Sequence, residues 1–233
     1  MRFFSYICTQ TTTFTAMKIN NFAETPSLIS QYMMELRNVD IQDNPMRFRR
    51  NLERFGEIMA YEISRTLNYD TVEITTPLAK AQAQIISDPL VLGTIFRAGI
   101  PFHQGFLNYF DSAQNAFVSA YRKYKEKENF DVFVEYLASP RLDDKVLILA
   151  DPMLATGASM ELSYRALLTK GTPRHIHVAS VIASQKAVDF VAQNFPADRT
   201  TLWVGAVDAE INAHSYIVPG LGDAGDLAYG IKE

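Results

Sequence analysis

The chain has 233 residues, 48% of them hydrophobic, with 22 Lys and Arg against 26 Asp and Glu and a formal charge of −4. Such a chain can bury a sizeable core in one globular domain, and its acidic balance gives no bulk electrostatic reason to bind nucleic acid or an acidic membrane. The single cysteine, Cys8, excludes a disulfide framework and a Cys-rich metal site and favours a reducing, cytoplasmic environment.

The first sixteen residues, MRFFSYICTQTTTFTA, contain a short apolar run that threonines interrupt. This run is too short for a secretory signal, and no apolar run elsewhere is long enough to span a membrane. Met17 follows directly, and a regular pattern begins after it. We therefore expect residues 1–16 to be a disordered extension, or to precede the true start codon, and residues 17–233 to form the folded domain.

Apolar residues recur at helical spacing over residues 28–36 and more clearly over 48–63, which predicts a helical amino-terminal part. A polar turn is predicted near residues 68–70. Runs typical of strands follow at residues 89–96, 116–122, 131–137, 145–150, 175–183 and 201–207. Several of these runs are almost continuously apolar and are followed by helical segments. The sequence therefore predicts an α/β fold whose largely parallel sheet is covered by helices on both sides.

The segment YRKYKEKENFD, residues 121–131, places many charged side chains between two predicted strands and has little apolar surface to bury. This composition is typical of a projecting hairpin or flap. For a charge run taken alone, a solvated loop without a function is the commoner explanation. A functional role for this segment therefore depends on other motifs.

The stretch VLILADPMLATGASM, residues 146–160, begins as a buried strand and ends in small residues that enter a helix. Ligands of open α/β sheets bind beyond the carboxyl ends of the strands, and amides at a helix start favour phosphate. Asp151 at the mouth of this loop suits ribose hydroxyls or a hydrated Mg²⁺, so a sugar phosphate would use both ends of the loop. Alternatively, Asp151 caps a helix that has Pro152 at its first position. The spacing leaves both interpretations open.

The segment ADPMLATGAS resembles the phosphoribosyl pyrophosphate (PRPP) loop of the uracil phosphoribosyltransferases. Three further segments resemble the same family in the family's order: RNVDIQDNPMRFRRNLERFGEIMAYEISR, TIFRAGIPFHQGFLNYF and VDAEINAHSYIVPGLGDAGDLAYG. Together the four segments are spread over roughly residues 36–230. The resemblance implies a type I phosphoribosyltransferase-like fold with a projecting flap and a small carboxy-terminal hood that binds the base.

The resemblance also implies a PRPP site built from two arginines and one continuous loop. Arg97 in FRAG matches the family's first pyrophosphate-contacting arginine, and Arg122 in YRKYK matches its flap arginine; a surface salt bridge and a solvated loop charge are the respective alternatives. The loop residues matched to PRPP are Asp151, Pro152, Met153, Leu154, Ala155, Thr156, Gly157, Ala158 and Ser159. The chain departs from the family at Ala158, where a second glycine is usual, and in its flap, which is usually more acidic and contains proline.

The tail segment GLGDAG, residues 220–225, satisfies the G-x-G-x-x-G pattern of dinucleotide-binding proteins. Only eight residues follow Gly225, too few for the βαβ unit that a dinucleotide site needs, so this interpretation is rejected. The resemblance instead implies a uracil site, in which Asp223 also reaches PRPP. The residues matched to uracil are Ile217, Gly222, Asp223 and Ala224.

The activity that the resemblance implies is a cytoplasmic pentosyltransferase of pyrimidine salvage. It joins uracil N1 to ribose C1 of PRPP, releases pyrophosphate and makes UMP. Mg²⁺ is the implied cofactor, held through PRPP and water without direct protein ligands. Arg97 and Arg122 would offset charge on the leaving pyrophosphate, Asp151 would position the ribose, and Asp223 is the nearest matched carboxylate to take the N1 proton, although a water could serve instead.

The implied partners are the two substrates, a GTP effector as in some relatives, and further copies of the chain in a dimer or tetramer, with no nucleic acid and no membrane. Two alternatives keep the same fold. One is an RNA-binding regulator of a pyrimidine operon, which the acidic balance disfavours. The other is a catalytically silent member, which the intact loop and tail disfavour.

Overall fold

The computed structural model describes residues 16–124 and 130–232, and within that part the side chains of residues 120–134 are not described. The extension expected over residues 1–16 therefore lies, except for Ala16, outside the described residues, as does the centre of the charged segment 121–131. Both interpretations stay predictions. Within the described part of the chain, no helix is long and apolar enough to cross a membrane.

The strands and helices follow the chain in an alternating order over most of its length. The strands are β1 (Lys18–Asn21), β2 (Tyr69–Thr75), β3 (Lys80–Ile86), β4 (Leu90–Ile95), β5 (Gln114–Tyr124), β6 (Phe130–Ala138), β7 (Val146–Ala150), β8 (Met153–Leu154), β9 (His175–Ser184), β10 (Thr200–Asp208), β11 (Glu210–Ile211) and β12 (Ile217–Val218). The α-helices are α1 (Leu28–Arg37), α2 (Val39–Gln42), α3 (Pro45–Ser64), α4 (Gly99–Leu107), α5 (Ala158–Leu168), α6 (Gln185–Asn194) and α7 (Ala224–Tyr229). All six strands and both helical regions predicted from the sequence are confirmed.

The central sheet has eight strands in the order β1-β10-β9-β7-β4-β5-β6, with the short β8 paired to β9 outside this order. Every pairing is parallel except that of β5 with β6. Parallel neighbours need long crossover connections, which α4, α5 and α6 supply. The largely parallel sheet predicted from the sequence is confirmed.

Both faces of the sheet are covered, which explains the continuous apolar runs. Every residue of β7 is buried. Its residues Val146, Ile148 and Ala150 belong to the core on one face, with side chains from α1, α3 and α4, whereas Leu147 and Leu149 belong to the core on the other face, with α5 and α6. A strand packed in this way has no polar face.

The long helix α3 shows why the amino-terminal region folds as the periodicity predicts. Asn44 caps the helix by accepting a hydrogen bond from Arg47 N (3.0 Å), and Pro45 stands at its first position, where the missing N–H costs nothing. Phe48, Leu52 and Phe55 are fully buried along one side. These side chains belong to the core on one face of the sheet, and α3 also packs against α4 through the close approach of Gly56 and Gly105.

The predicted flap has the backbone of an antiparallel hairpin. β5 and β6 pair from Phe117 opposite Ala138 out to Tyr124 opposite Phe130. Arg122 lies on this hairpin opposite Val132, but its side chain is outside the described part of the chain. The hairpin is confirmed, whereas its closure over a ligand stays a prediction.

Two features differ from the sequence prediction. The polar turn expected near residues 68–70 is wrong, because Tyr69 and Asp70 already belong to β2 and the turn lies at residues 65–67. β2 and β3 form a separate two-stranded antiparallel hairpin that the sequence did not reveal. Most of its residues are exposed, so it lacks the apolar run that marks the buried strands.

Candidate active site

Two of the predicted PRPP residues follow neighbouring strands at the same edge of the sheet. Thr94 of β4 and Ala150 of β7 pair in register, so the chain leaves both strands side by side, towards Arg97 and Asp151 respectively. The carboxyl ends of adjacent parallel strands form the usual crevice for ligands in open α/β sheets. The topology therefore brings the Arg-Ala-Gly turn and the predicted PRPP loop to one crevice.

The PRPP loop, residues 151–159, is fixed to strand β9 by hydrogen bonds. Asp151 N donates to Ala179 O (3.1 Å), and Ser184 Oγ donates to Ala155 O (2.6 Å). Between them, β8 pairs in parallel with the end of β9. A loop held in this way binds with a smaller loss of conformational entropy than a free one.

Gly157 sets the direction in which the loop enters helix α5. Its φ of +79° is left-handed, and a Cβ on it would lie 2.6 Å from Cδ1 of Phe190. As the N-cap residue it has no side chain to bond the first amides of α5, and Thr156 Oγ1 accepts only a long bond, 3.4 Å, from Ala158 N. The first N–H groups of an uncapped helix suit an anionic ligand.

A small depression of about 60 Å³ lies at this turn. Its walls are formed by Asp151, Met153, Leu154, Ala155, Thr156, Gly157, Ser159 and Met160. The depression has room for a small group rather than a whole nucleotide. Ala158, the departure from the family pattern, is 8% exposed and does not line it, so its methyl group leaves this space free.

Asp151 does not cap a helix, so that alternative is wrong. Helix α5 begins only at Ala158, and Pro152 leads into the short strand β8. The carboxylate instead accepts a hydrogen bond from Met153 N at Oδ1 (3.2 Å). Burial raises the pKa of Asp151 to about 7, and the bond from Met153 opposes this shift only in part. A nearby cation or hydroxyl ligand would therefore stabilise its ionised form.

Arg97 reaches across the crevice to the carboxy-terminal helix. Its Nη2 lies 2.7 Å from Asp226 Oδ1, and its Nη1 donates to Gly230 O (3.2 Å). The salt bridge that was the alternative to a phosphate contact is thus present. The side chain stays 38% exposed, which leaves it accessible to a ligand in the crevice.

The carboxy-terminal segment packs beside the PRPP loop. Ala224 N donates to Met153 Sδ (3.3 Å), which joins a predicted uracil residue to a predicted PRPP residue. Asp223 caps α7 by accepting from Asp226 N (3.0 Å), and Ile217 is buried in β12. The structure therefore brings the 222–224 turn to the PRPP loop, whereas Ile217 lies in the core.

Several wider cavities lie away from this crevice. Two of them, of about 370 and 240 Å³, open at the opposite edge of the sheet, beside the amino ends of β4 and β7. Neither is lined by a residue of the PRPP loop or the tail. A further cavity of about 430 Å³ lies beside α6 and Ala209. Volume alone therefore does not identify the PRPP loop, which is selected by the chemistry of its residues.

Sequence reasoning did not find Asp226, the partner of Arg97, or the pair formed by Arg37 and Asp208 beneath Gly220. In the sequence, Asp226 is an acidic residue of the tail segment, and nothing marks it as the partner of Arg97. The pair joins residues 171 positions apart, and no local spacing links them. Only the folded structure shows these two ion pairs.

The donor set fits a magnesium ion that is held mainly by its substrate. Among the described residues, no group of three or more His, Cys, Asp or Glu side chains could hold a metal ion. Mg²⁺ commonly keeps several waters and binds one or two carboxylates together with substrate phosphates. Asp151 offers one such carboxylate beside the phosphate loop.

Comparison with known proteins gives a consistent result. The sequence model described as "Uracil phosphoribosyltransferase" matches residues 24–231. The uracil phosphoribosyltransferase of Porphyromonas gingivalis is 59% identical over 216 residues, which cover 93% of this chain and 100% of that protein. That of Methanothermobacter thermautotrophicus is 40% identical, covering 80% and 85%. The solved AQ2163 protein from Aquifex aeolicus superposes with a TM-score of 0.80 at 27% identity, covering 91% of this chain and 98% of that one.

Proposed function

The chain belongs to the uracil phosphoribosyltransferase family, and from this premise we propose how its residues divide the reaction that makes UMP and pyrophosphate from uracil and PRPP. This reaction is that of a pentosyltransferase. The fold is that of the type I phosphoribosyltransferases. The chain is 59% identical to a uracil phosphoribosyltransferase over nearly its whole length. This identity does not favour the two alternatives, an RNA-binding regulator and a catalytically silent member.

The observation that supports the site most strongly is the contact between the PRPP loop and the tail. The hydrogen bond from Ala224 N to Met153 Sδ joins the two segments and so supports a site shared between them. A thioether is a weak acceptor, so a uracil carbonyl oxygen would be a better partner for the Ala224 amide. The two substrates would therefore meet with uracil facing the ribose.

The PRPP loop would bind the 5-phosphate and the ribose at different ends. The small depression is lined by Ala155, Thr156, Gly157 and Ser159, around the start of α5, and the amides and hydroxyls of these residues would suit the phosphate. Asp151, at the opening of the loop, would accept hydrogen bonds from the ribose hydroxyls. Its ionised form is costly in the free protein, because burial raises its pKa to about 7. Binding of hydroxyls and a cation would offset that cost.

The arginines would hold the pyrophosphate as it leaves. Arg97 would exchange its contact with Asp226 for the pyrophosphate, and Arg122 would approach from the β5–β6 hairpin. Planar guanidinium groups bind phosphate oxygens in pairs and stabilise charge that develops in the transition state. Their role is electrostatic, and most of the remaining rate enhancement would come from holding uracil N1 in line with ribose C1.

The tail would recognise uracil through its backbone. Ile217 would support the site from the core, and the turn at Gly222, Asp223 and Ala224 would supply close backbone groups for the ring. Asp223 holds the turn through its bond from Asp226 N (3.0 Å), and its carboxylate is the matched candidate to accept the uracil N1 proton. Asp223 would then serve both as the cap of α7 and as a member of the site.

We propose Mg²⁺ as the cofactor, held by PRPP and water, with the carboxylate of Asp151 facing the hydrated ion. When bound, it neutralises charge on the pyrophosphate and so makes it a better leaving group. We further propose GTP as an effector, a dimer or tetramer as the assembled state, and the cytoplasm as the location. Rates with and without GTP, and the mass measured by light scattering, test the first two; unchanged rates and a monomeric mass would contradict them.

The direct test is to incubate the purified chain with uracil and PRPP and to follow UMP by chromatography. We expect UMP with Mg²⁺ and a loss of product when EDTA removes the metal. Substituting orotate or adenine for uracil serves as the control for base recognition. Absence of UMP in a folded sample that contains Mg²⁺ would contradict the proposed function, and undiminished UMP formation with EDTA would contradict the proposed cofactor.

A further inference from the structure

A buried ion pair lies directly beneath the segment 217–224, which we call the base loop. Arg37, the last residue of α1, meets Asp208, the last residue of β10, through two parallel bonds: Nη2 to Oδ1 and Nη1 to Oδ2, each 2.8 Å. The Asp208 side chain is 8% exposed and that of Arg37 24%. Residues 171 positions apart are therefore joined at the end of the sheet where the base loop begins.

The same two side chains hold both backbone groups of Gly220. Gly220 N donates to Asp208 Oδ2 (2.8 Å), and Arg37 Nη1 donates to Gly220 O (3.2 Å). Gly220 has a left-handed φ of +63°, and a Cβ there would lie 2.0 Å from Ile217 O. Arg37 and Asp208, which we call the clamp, thus fix a turn that only glycine can make. This turn lies between Ile217 and the 222–224 turn.

The charges of the clamp are well compensated. Burial disfavours the ionised form of Asp208, but the hydrogen bonds from Arg37 and Gly220 and the charge of Arg37 outweigh burial and hold its pKa below the ordinary value. A carboxylate with these three bonds is an ionised and well-ordered group. The removal of one partner would leave the other buried and unpaired.

We infer that Arg37 and Asp208 are positioning residues of the base subsite, which hold Gly220 so that the backbone of residues 222–224 meets uracil correctly. This inference rests on the function proposed above. The clamp bonds both the N–H and the C=O of Gly220, so this residue anchors the base loop. The backbone groups of residues 222–224 remain available to the base. The clamp has no hydrogen bond to the PRPP loop among the described side chains, so its loss should affect uracil far more than PRPP.

The chain supplies a matched control in the pair of Glu35 and Arg47. Arg47 donates to both carboxylate oxygens of Glu35 at 2.7 Å, and the Glu35 side chain is 7% exposed. This pair also involves helix α1, but it touches no residue of the base loop. Glu35→Gln therefore removes an equally buried charge from the same helix and leaves Gly220 held.

The experiment compares Asp208→Asn, Arg37→Gln and Glu35→Gln with the wild type in steady-state kinetics over both substrates. We expect Asp208→Asn to raise KM for uracil by about tenfold or more, equivalent to the loss of one strong contact. KM for PRPP should stay within about twofold of the wild-type value. Both clamp variants keep an acceptor for Gly220 N, so Arg37→Gln, which also removes the bond to Gly220 O, should give a rise in uracil KM of similar size, and Glu35→Gln none.

Uracil KM values within about twofold of the Glu35→Gln value in both clamp variants would overturn the inference, as would equal rises in both KM values. Hydrogen exchange of the Gly220 amide in the wild type gives a readout that does not depend on variants folding. Slow exchange supports the clamp, and rapid exchange overturns it. Failure of the wild type to make UMP would instead contradict the proposed function, and the two failures are therefore distinguishable.

Discussion

Replacing Asp151 with Asn should stabilise the fold and abolish most of the activity. Asn keeps the size of the side chain and can still accept the bond from Met153 N, which is 3.2 Å long in the wild type. It removes the charge that burial disfavours, since burial raises the pKa of Asp151 to about 7. A residue that is retained at a cost in stability is typical of a functional site.

The magnitude follows from the linkage between protonation and folding. Between its ordinary pKa of 3.8 and the folded value of about 7, Asp151 binds a proton more strongly in the folded state, so stability falls as the pH rises through this window. The full difference corresponds to on the order of 4 kcal/mol at about 1.4 kcal/mol per pKa unit. Asp151→Asn should therefore equal the wild type in stability near pH 4 and exceed it above pH 7.

The assay is urea unfolding of both proteins at several pH values from 4 to 8, together with UMP formation at pH 8. We expect the stability difference to grow with pH and the turnover of the variant to fall by about two decades, as for the loss of a transition-state contact of roughly 3 kcal/mol. A stability difference that does not change with pH would refute the electrostatic reasoning. Near wild-type turnover would remove Asp151 from the site.

The other predictions concern the flap, the tail and the loop. Arg122→Ala should lower kcat by two to three decades, or roughly 2–4 kcal/mol, because the flap arginine would act as charge develops; unchanged kcat and PRPP KM would make it a solvated loop charge. Asp226→Asn should lower KM for PRPP by up to about fivefold, since Arg97 would then leave a neutral acceptor, and no longer a carboxylate 2.7 Å away, to bind pyrophosphate; a raised KM would show that Asp226 positions Arg97 instead. Cytosine should be used about a hundredfold less well than uracil, as its amino group would oppose the amide of Ala224, and comparable turnover of the two bases would refute the base assignment. Gly157→Ala should lower the free energy of unfolding by about 1–3 kcal/mol, because a Cβ at a φ of +79° meets Phe190; a midpoint in urea equal to that of the wild type would contradict this account.

The sequence predicted the parallel sheet because its strands are buried on both faces and therefore read as continuous apolar runs. It did not predict the β2–β3 hairpin, whose residues are mostly exposed and give no such run. The helix-cap alternative for Asp151 stayed open because the strand that follows it, β8, is too short to give a pattern in the sequence. Only the pairing of the two-residue strand β8 with β9 shows that the helix starts later, at Ala158.

The site was predictable where its residues are contiguous and hidden where they are not. The PRPP loop and the 217–224 segment are each recognisable as one short motif. The bonds from Arg37 to Asp208 and from Arg97 to Asp226 join residues 171 and 129 positions apart. An arginine in a sequence does not reveal which of many carboxylates it will meet, and folding alone decides this.

The central claim is that one crevice joins uracil to the ribose of PRPP. The most direct measurement follows UMP and pyrophosphate together in a single reaction of the wild-type chain with both substrates and Mg²⁺. We predict that the two products appear in equal amounts and at equal rates, and that neither forms when uracil is omitted. Pyrophosphate released without UMP, or the absence of both products from a correctly folded sample, would contradict this assignment.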